Sequence, residues 1–271
     1  VSIIYRKSFK VGKNKMIDIN NSKRVFKEYV SNYNLQDGKI ALKVAHILRV
    51  SELSKKIATS LNLSEEDIKL AELIGLLHDI GRFEQVRKYN TFIDKISINH
   101  GEYGAKILFE DNLIEKFNVD EKYYKIIKTA ILNHNRSKIE DNLTEQELLH
   151  SKIIRDADKL DCFYVLLTDD IKNTYGCSAE DMQNETFSNE IIREFKEDHM
   201  IDYKKRATYG DIWISHMAYV FDFYYKSSYI VIKEKDYLNK LTQKMNFKNP
   251  QTIQMAQELL QIANDYIKSK I

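Results

Sequence analysis

The sequence predicts an all-α protein, and three observations carry that expectation. One proline and eight glycines in 271 residues are too few for the tight turns of a sandwich or barrel, and they suit long helices instead. Apolar residues recur at helical spacing, as in Val44, Ile47, Leu48, Ile57, Ala58 and Leu61. Capping signals stand where periodic runs begin: Ser64 precedes Glu65-Glu66-Asp67, with acid where the helix dipole favours it, and Thr144-Glu145-Gln146-Glu147 has the form of a capping box.

The elements follow in order. The periodic run from Val44 stops at Leu61-Asn62-Leu63-Ser64. The next helix is predicted over 65–79, carrying Ile68, Ala71, Ile74, Gly75 and His78 near one face, with Gly81 placed to cap its end. Residues 82–99 read as loop, and further helices are expected over 101–111, 120–134, 144–169, 188–197, 211–227 and 251–269. No internal repeat, low-complexity tract or Ser/Gly-rich linker marks an independent second domain. The division expected is a lead-in over 1–38, a helical core over 39–170 and a helical extension over 171–271 packed on it. Residues 1–15 lack an initiator Met while Met16 offers one, so this stretch is expected to be a cloning remnant or a long start and takes no part in the functional reading.

Composition narrows the function classes. With 43% apolar and 30% charged residues the chain can bury a real core. Its 42 Lys and Arg against 40 Asp and Glu leave a net charge of +2, no global field to demand nucleic acid or an anionic membrane. Cys162 and Cys177 lack the number and spacing of a disulfide framework or a zinc knuckle, which fits a reducing compartment. The apolar stretch 212–225 is short and is interrupted by His216 and Asp222, below the roughly 18 residues a membrane span needs. A cytoplasmic protein without membrane or nucleic-acid partners is expected. Within Tyr219-Val220-Phe221-Asp222-Phe223-Tyr224-Tyr225 the aromatics read as core or as the surface of a homodimer rather than a base-stacking platform.

Chemistry concentrates in the first half. His46, His78, His100 and His134 each lie in or beside a predicted helix, so four helices can converge their imidazoles on a metal, as helix bundles do with His and Asp ligands. In Leu76-Leu77-His78-Asp79-Ile80-Gly81 an imidazole and a carboxylate are adjacent at the end of an apolar helix. A buried Asp there costs several kcal/mol unless paired or metal-bound. The alternative is a satisfied core histidine beside an Asp paired with Arg or Lys. The run Arg155-Asp156-Ala157-Asp158-Lys159-Leu160-Asp161 puts three carboxylates among apolar residues, and helical geometry alone leaves open which one points inward. His150, His199 and His216 receive no role.

His46, then His78-Asp79, then Asp158 resembles the His…His-Asp…Asp signature of the HD superfamily of metal-dependent phosphohydrolases, with Leu77-His78-Asp79-Ile80-Gly81-Arg82-Phe83-Glu84-Gln85 its most characteristic stretch. The resemblance covers residues 40–170. It implies an HD-domain helical bundle over 39–170, with Ala157-Asp158-Lys159-Leu160-Asp161 selecting Asp158 as the last ligand and leaving Asp156 and Asp161 in support. His100-Gly101-Glu102-Tyr103-Gly104-Ala105 and His134 in Ile131-Leu132-Asn133-His134-Asn135 are similar to members that hold a second metal, where Asp79 would bridge both ions. The plain alternatives are a helix cap for His100 and a dipole-favoured helix-end histidine for His134. Asn135 stands where the cyclic-di-GMP phosphodiesterase branch has a second His, and Asn135-Arg136-Ser137-Lys138 lacks that branch's Gly-Tyr-Pro segment, which disfavours that substrate.

The resemblance thus implies one or two divalent transition metals (Fe, Mn, Co, Ni or Zn, with Mg a further candidate) and a small phosphorylated substrate such as a nucleotide. Asp79 and Arg82 are the expected catalytic residues. Arg82, three residues past Asp79, has a planar fork suited to phosphoryl oxygens, its rival role being a salt bridge with Glu84 or Glu72. Lys204-Lys205-Arg206 reads as a solvated run or a phosphate clamp. Two other functions compete: a diiron oxygenase of a polyol or phosphonate, whose six-ligand array the sequence also resembles, and a non-catalytic nucleotide-sensing module.

Overall fold

The computed structural model describes residues 16–271; residues 1–15, and the reading of them as a remnant or long start, lie outside the described residues. Among the described residues there is no strand, and no helix is long and apolar enough to cross a membrane. The chain is all-α, as predicted.

Helix α1 (Ile19–Val30) falls within the anticipated lead-in and was not foreseen. Asp18 caps it by accepting the Asn21 N–H, and Val25, Phe26 and Val30 bury its inner face. Helix α2 (Gly38–Ser60) then packs along α3 (Glu65–Leu77), which starts at Ser64 with its side chain accepting from the Asp67 N–H. The two helices approach at Gly75, where a Cβ would stand 2.7 Å from the Ser51 Cα and 2.8 Å from the Ser54 Oγ. Only glycine permits that contact, and it draws the face of α2 bearing His46 towards the end of α3.

Two expectations need correction here. Residues 82–99 are not all loop, because α4 (Gly81–Tyr89) follows directly and buries Phe83 and Val86 at helical spacing; a short 3-10 turn occupies Asp94–Ile96. Gly81 accordingly opens a helix rather than capping one. Its lack of a side chain matters for another reason: a Cβ there would meet the His100 carbonyl oxygen at 2.3 Å and the Gly104 nitrogen at 2.7 Å. The true cap of α4 is Asn90, in the left-handed conformation at φ 53°.

Helix α5 (His100–Phe109) and α6 (Tyr124–His134) are followed by the long α7 (Glu145–Thr168), where the foreseen capping box of Thr144 and Glu147 is in place. Beyond it come the short α8 (Ile171–Tyr175), α9 (Ala179–Gln183) and α10 (Asn189–Arg193), then α11 (Tyr209–Met217), α12 (Lys226–Lys235), α13 (Tyr237–Met245) and α14 (Pro250–Lys270). Helices α12 and α13 pack on α7.

The continuous helix predicted over 211–227 is broken. After α11 and a 3-10 turn at Ala218–Asp222, the chain extends through Phe223 and Tyr225 before α12 begins. The cause is tertiary: the buried carboxylate of Asp156 accepts the N–H groups of Tyr224 (3.0 Å) and Tyr225 (3.1 Å) and the Ser228 hydroxyl (2.6 Å), capping α12 from another helix. Val220 and Phe223 of the aromatic stretch are core, while Tyr224 is half-exposed.

Replacing Asp156 by Ala strands those three donors in the interior, which costs about 2–3 kcal/mol. Chemical denaturation should show that loss, and an Asp156→Ala midpoint equal to wild type would contradict the capping role.

Candidate metal centre

Four helix segments deliver the imidazoles. His46 projects from the middle of α2, His78 follows the last residue of α3, His100 is the first residue of α5 and His134 the last of α6. Asp79 sits in the turn between α3 and α4, and Asp158 comes from α7. The four histidines and Asp79 are all buried. Asp158 is the partly open member, its side chain 23% exposed, so the centre is reached from its side.

Asp79 lies between two imidazole pairs. Its Oδ2 is 3.5 Å from His46 Nε2 and 3.7 Å from His78 Nε2, and its Oδ1 is 3.4 Å from His100 Nε2 and 3.6 Å from His134 Nε2. Asp158 Oδ1 closes the first group, 3.2 Å from His46 Nε2 and 3.7 Å from His78 Nε2. Two trios, His46-His78-Asp79 and Asp79-His100-His134, each bring their ligand atoms within 4.8 Å of one another. Such spacings suit a cation shared by the group; most exceed a direct hydrogen bond.

Every one of these rings is held by its other nitrogen. His46 Nδ1 meets Asp161 Oδ2 at 2.7 Å, His78 Nδ1 the Gly75 carbonyl at 2.8 Å, His100 Nδ1 Asp94 Oδ2 at 2.7 Å, and His134 Nδ1 the Ile131 carbonyl at 2.6 Å. With Nδ1 donating, the neutral tautomer leaves the Nε2 lone pair facing the centre, the arrangement that metal-binding histidines adopt. Asp161 is itself held by Arg49 through Nε at 2.6 Å and Nη2 at 2.9 Å.

The centre contains buried polar atoms with no hydrogen-bond partner: His46 Nε2, His78 Nε2 and Asp79 Oδ1. Across the second group, His100 Nε2 and His134 Nε2 face each other at 3.0 Å, two acceptors if both rings are neutral. Unpaired groups of this kind are costly, and a cation between them removes the cost. The donor set of imidazole and carboxylate therefore fits divalent transition metals. Electrostatics agree. Burial and the Arg82 cation push the His100 imidazole down to about 4, and burial also lowers His78, so both are neutral. Asp79 and Asp158 are both held well below the ordinary range despite burial, Asp79 chiefly by Lys43 and Asp158 by the adjacent His46 and His78 imidazoles. Burial and Lys43 disfavour a charged His46, yet the carboxylates of Asp158, Asp161 and Asp79 outweigh them and push it up to about 9; a metal must displace that proton.

The three aspartates of α7 separate by direction. Asp158 points at His46 and His78, Asp161 steadies His46 from behind, and Asp156 caps α12. The capping alternative for His100 is not what the fold shows, because Asn99 takes the Gly101 and Glu102 N–H groups. Arg82 pairs with neither Glu84 nor Glu72. Its Nη1 donates to Gln85, the Phe92 carbonyl and Asp94, while Nε lies 3.4 Å from Asp79 Oδ1 without a hydrogen bond. Glu84 pairs with Arg87, and Glu72 with Lys23 and Lys55.

Sequence reasoning missed Lys43, whose Nζ is 2.7 Å from Asp79 Oδ2, and Asp94, which joins His100 to Arg82. Lys43 was findable, since it precedes His46 by three residues on one helical face; Asp94 stands in a segment without periodicity and carried no signal.

Metal titrations should distinguish the two groups. His100→Ala and His134→Ala are each expected to lose about one equivalent while Asp79→Ala loses both, as a shared carboxylate in a two-ion site requires. Asp161→Asn should weaken the first group's affinity roughly 10–100-fold through misorientation of His46. A single equivalent in wild type, unaffected by His100→Ala, would rule out the second group as a metal site.

Comparison with known proteins identifies a domain over this part of the chain. The family model for the HD domain matches residues 44–162, a span that includes His46, His78, Asp79, His100, His134 and Asp158. No curated protein and no solved structure matches the chain. Residues 44–162 thus carry an HD domain, the domain of a superfamily of metal-dependent phosphohydrolases.

Proposed function

We propose that this protein hydrolyses a phosphate ester, a nucleotide or another small phosphorylated metabolite, at a centre of one or two divalent metals held by His46, His78, Asp79, His100, His134 and Asp158. The observation that carries the reading is the division of the Asp79 carboxylate, one oxygen towards each imidazole pair. Divalent ions bound there would supply a hydrolytic nucleophile at neutral pH and Lewis-acid polarisation of the phosphoryl group.

The residues around the ions do the positioning. Asp79 and Asp158 provide the negative charge that attracts the metals, and the burial of Asp79 keeps its charge concentrated. Lys43 and Arg82 place two cations beside Asp79. With Nη1 fixed by three acceptors, Arg82 presents a guanidinium that needs no reorganisation, and its assigned task is to offset charge developing on phosphoryl oxygens, worth about 3 kcal/mol. Phe92 lies against both cations, 5.2 Å from Lys43 Nζ and 5.6 Å from the Arg82 guanidinium carbon. It screens them from water on that side.

A second reading is a diiron oxygenase, favoured by the same four-histidine, two-aspartate array. Oxygen dependence separates the two. Hydrolysis of a panel of phosphomonoesters and diesters, read as phosphate from the first and as alcohol and monoester from the second, should proceed under nitrogen, stop with chelator, return with Mn, Co or Fe and be absent in Asp79→Asn. Arg82→Gln should lower kcat roughly 100-fold. Oxygen uptake with bound iron, and no hydrolysis of any ester, would replace hydrolysis by oxidation.

A further inference from the structure

The first group of ligands already holds a cation, the ammonium of Lys43. This residue stands one turn before His46 on α2, and its Nζ lies 2.7 Å from Asp79 Oδ2. That is the oxygen on which His46 Nε2, at 3.5 Å, and His78 Nε2, at 3.7 Å, converge without hydrogen-bond partners of their own. Asp79 Oδ1 has no hydrogen bond either, so among the described residues the ammonium is the carboxylate's one direct donor.

The two cations beside Asp79 differ in how they are held. Arg82 Nη1 donates to Gln85, the Phe92 carbonyl and Asp94, which fix it independently of Asp79. Lys43 has Asp79 as its one ion-pair partner among the described residues, and its ammonium otherwise meets the Phe92 ring at 5.2 Å. Its side chain is 15% exposed, so it is not sealed in. The open edge of the centre is close: Asp158 brings Oδ1 to 3.2 Å from His46 Nε2, the same nitrogen that Asp79 Oδ2 faces.

A dication held by His46, His78 and Asp79 Oδ2 and an ammonium on that same oxygen repel each other, strongly so in a buried site where water screens little. Lysine is a point charge on a flexible stem with three rotatable donors, so it can leave, and an anionic oxygen at the open edge is the partner that suits it. We propose that Lys43 and the first metal compete for Asp79 Oδ2, and that a phosphoryl oxygen of the substrate relieves the competition by taking the ammonium. Lys43 then keeps Asp79 paired while the group is empty and serves as a substrate ligand once it is filled. Metal and anion are thereby coupled through one side chain, and each raises the affinity for the other by the same factor. The competition concerns the metal centre alone; its substrate half rests on the phosphate-ester reading.

The test is calorimetric titration of Mn(II) into the full-length, metal-stripped protein, with and without inorganic phosphate. Without phosphate, the equivalent that survives His100→Ala, which is the first group's, should bind roughly tenfold or more tightly in Lys43→Met and in Lys43→Gln than in wild type, the range for an interaction with a charged group. The proton held by His46 does not reverse that sign, because it carries half the charge of the dication that displaces it. Phosphate should tighten metal binding in wild type, and roughly tenfold less in either variant. Lys43→Gln retains a donor for Asp79 and decides the matter if Lys43→Met does not fold without metal. A residue that merely steadies Asp79 gives the opposite result, since its loss weakens metal binding. Equal or weaker affinity in the variants, or a phosphate effect the same as in wild type, would overturn the competition. If metal-loaded wild type hydrolyses no ester, the hydrolytic reading fails by itself, and the titrations still separate competition from a steadying role.

Discussion

The arrangement of the front half turns on one buried carboxylate. Asp79 has almost no solvent contact, and a charge in that position is tolerable only if cations or donors surround it. Lys43, Arg82 and four imidazole nitrogens converge on its two oxygens. Those groups arrive from four stretches of chain, so satisfying this one carboxylate constrains α2, the α3–α4 turn, α5 and α6 together.

A second layer converts that constraint into fixed ring orientations. Asp161 and Asp94 play equivalent parts, each bonding Nδ1 of one histidine and each anchored in turn by an arginine, Arg49 and Arg82. His78 and His134 use carbonyls of their own helices three residues back, Gly75 and Ile131. The two kinds of anchor differ physically. A carbonyl on the same helix is set by local geometry, whereas Asp94 reaches His100 from the loop before α5 and Asp161 reaches His46 from a distant helix, tying the metal centre to tertiary packing.

The same α7 that supplies Asp158 and Asp161 also organises the extension. Its buried Asp156 caps α12, and its buried Arg155 reaches the carbonyls of Asn133 and Arg136 together with the Asp222 carboxylate. Asp222 binds Lys159 as well. These bonds hold the turn bearing Tyr219 against the helix bearing Asp158.

The all-α class, the starts of α3 and α7, and the set of histidines and aspartates that meet at the centre were legible in the sequence, because helical periodicity, caps and a His-Asp pair at an apolar helix end are local signals. Local signals could not show that 81–89 continues as helix beyond the His-Asp turn, where Phe83 and Val86 are committed by burial. Nor could they show that 211–227 breaks, since the cap that stops it is a carboxylate from another helix. Directions were beyond the reach of local geometry: Asp156, Asp158 and Asp161 share one helix, the family resemblance alone selected Asp158, and the packing of α2, α3 and α12 around that helix is what turns it to the histidines. The sequence by itself determined which chemical groups are present and how the chain coils between them. Tertiary structure alone decided what each charge faces, because a buried charge takes its partners from whatever segment packs against it.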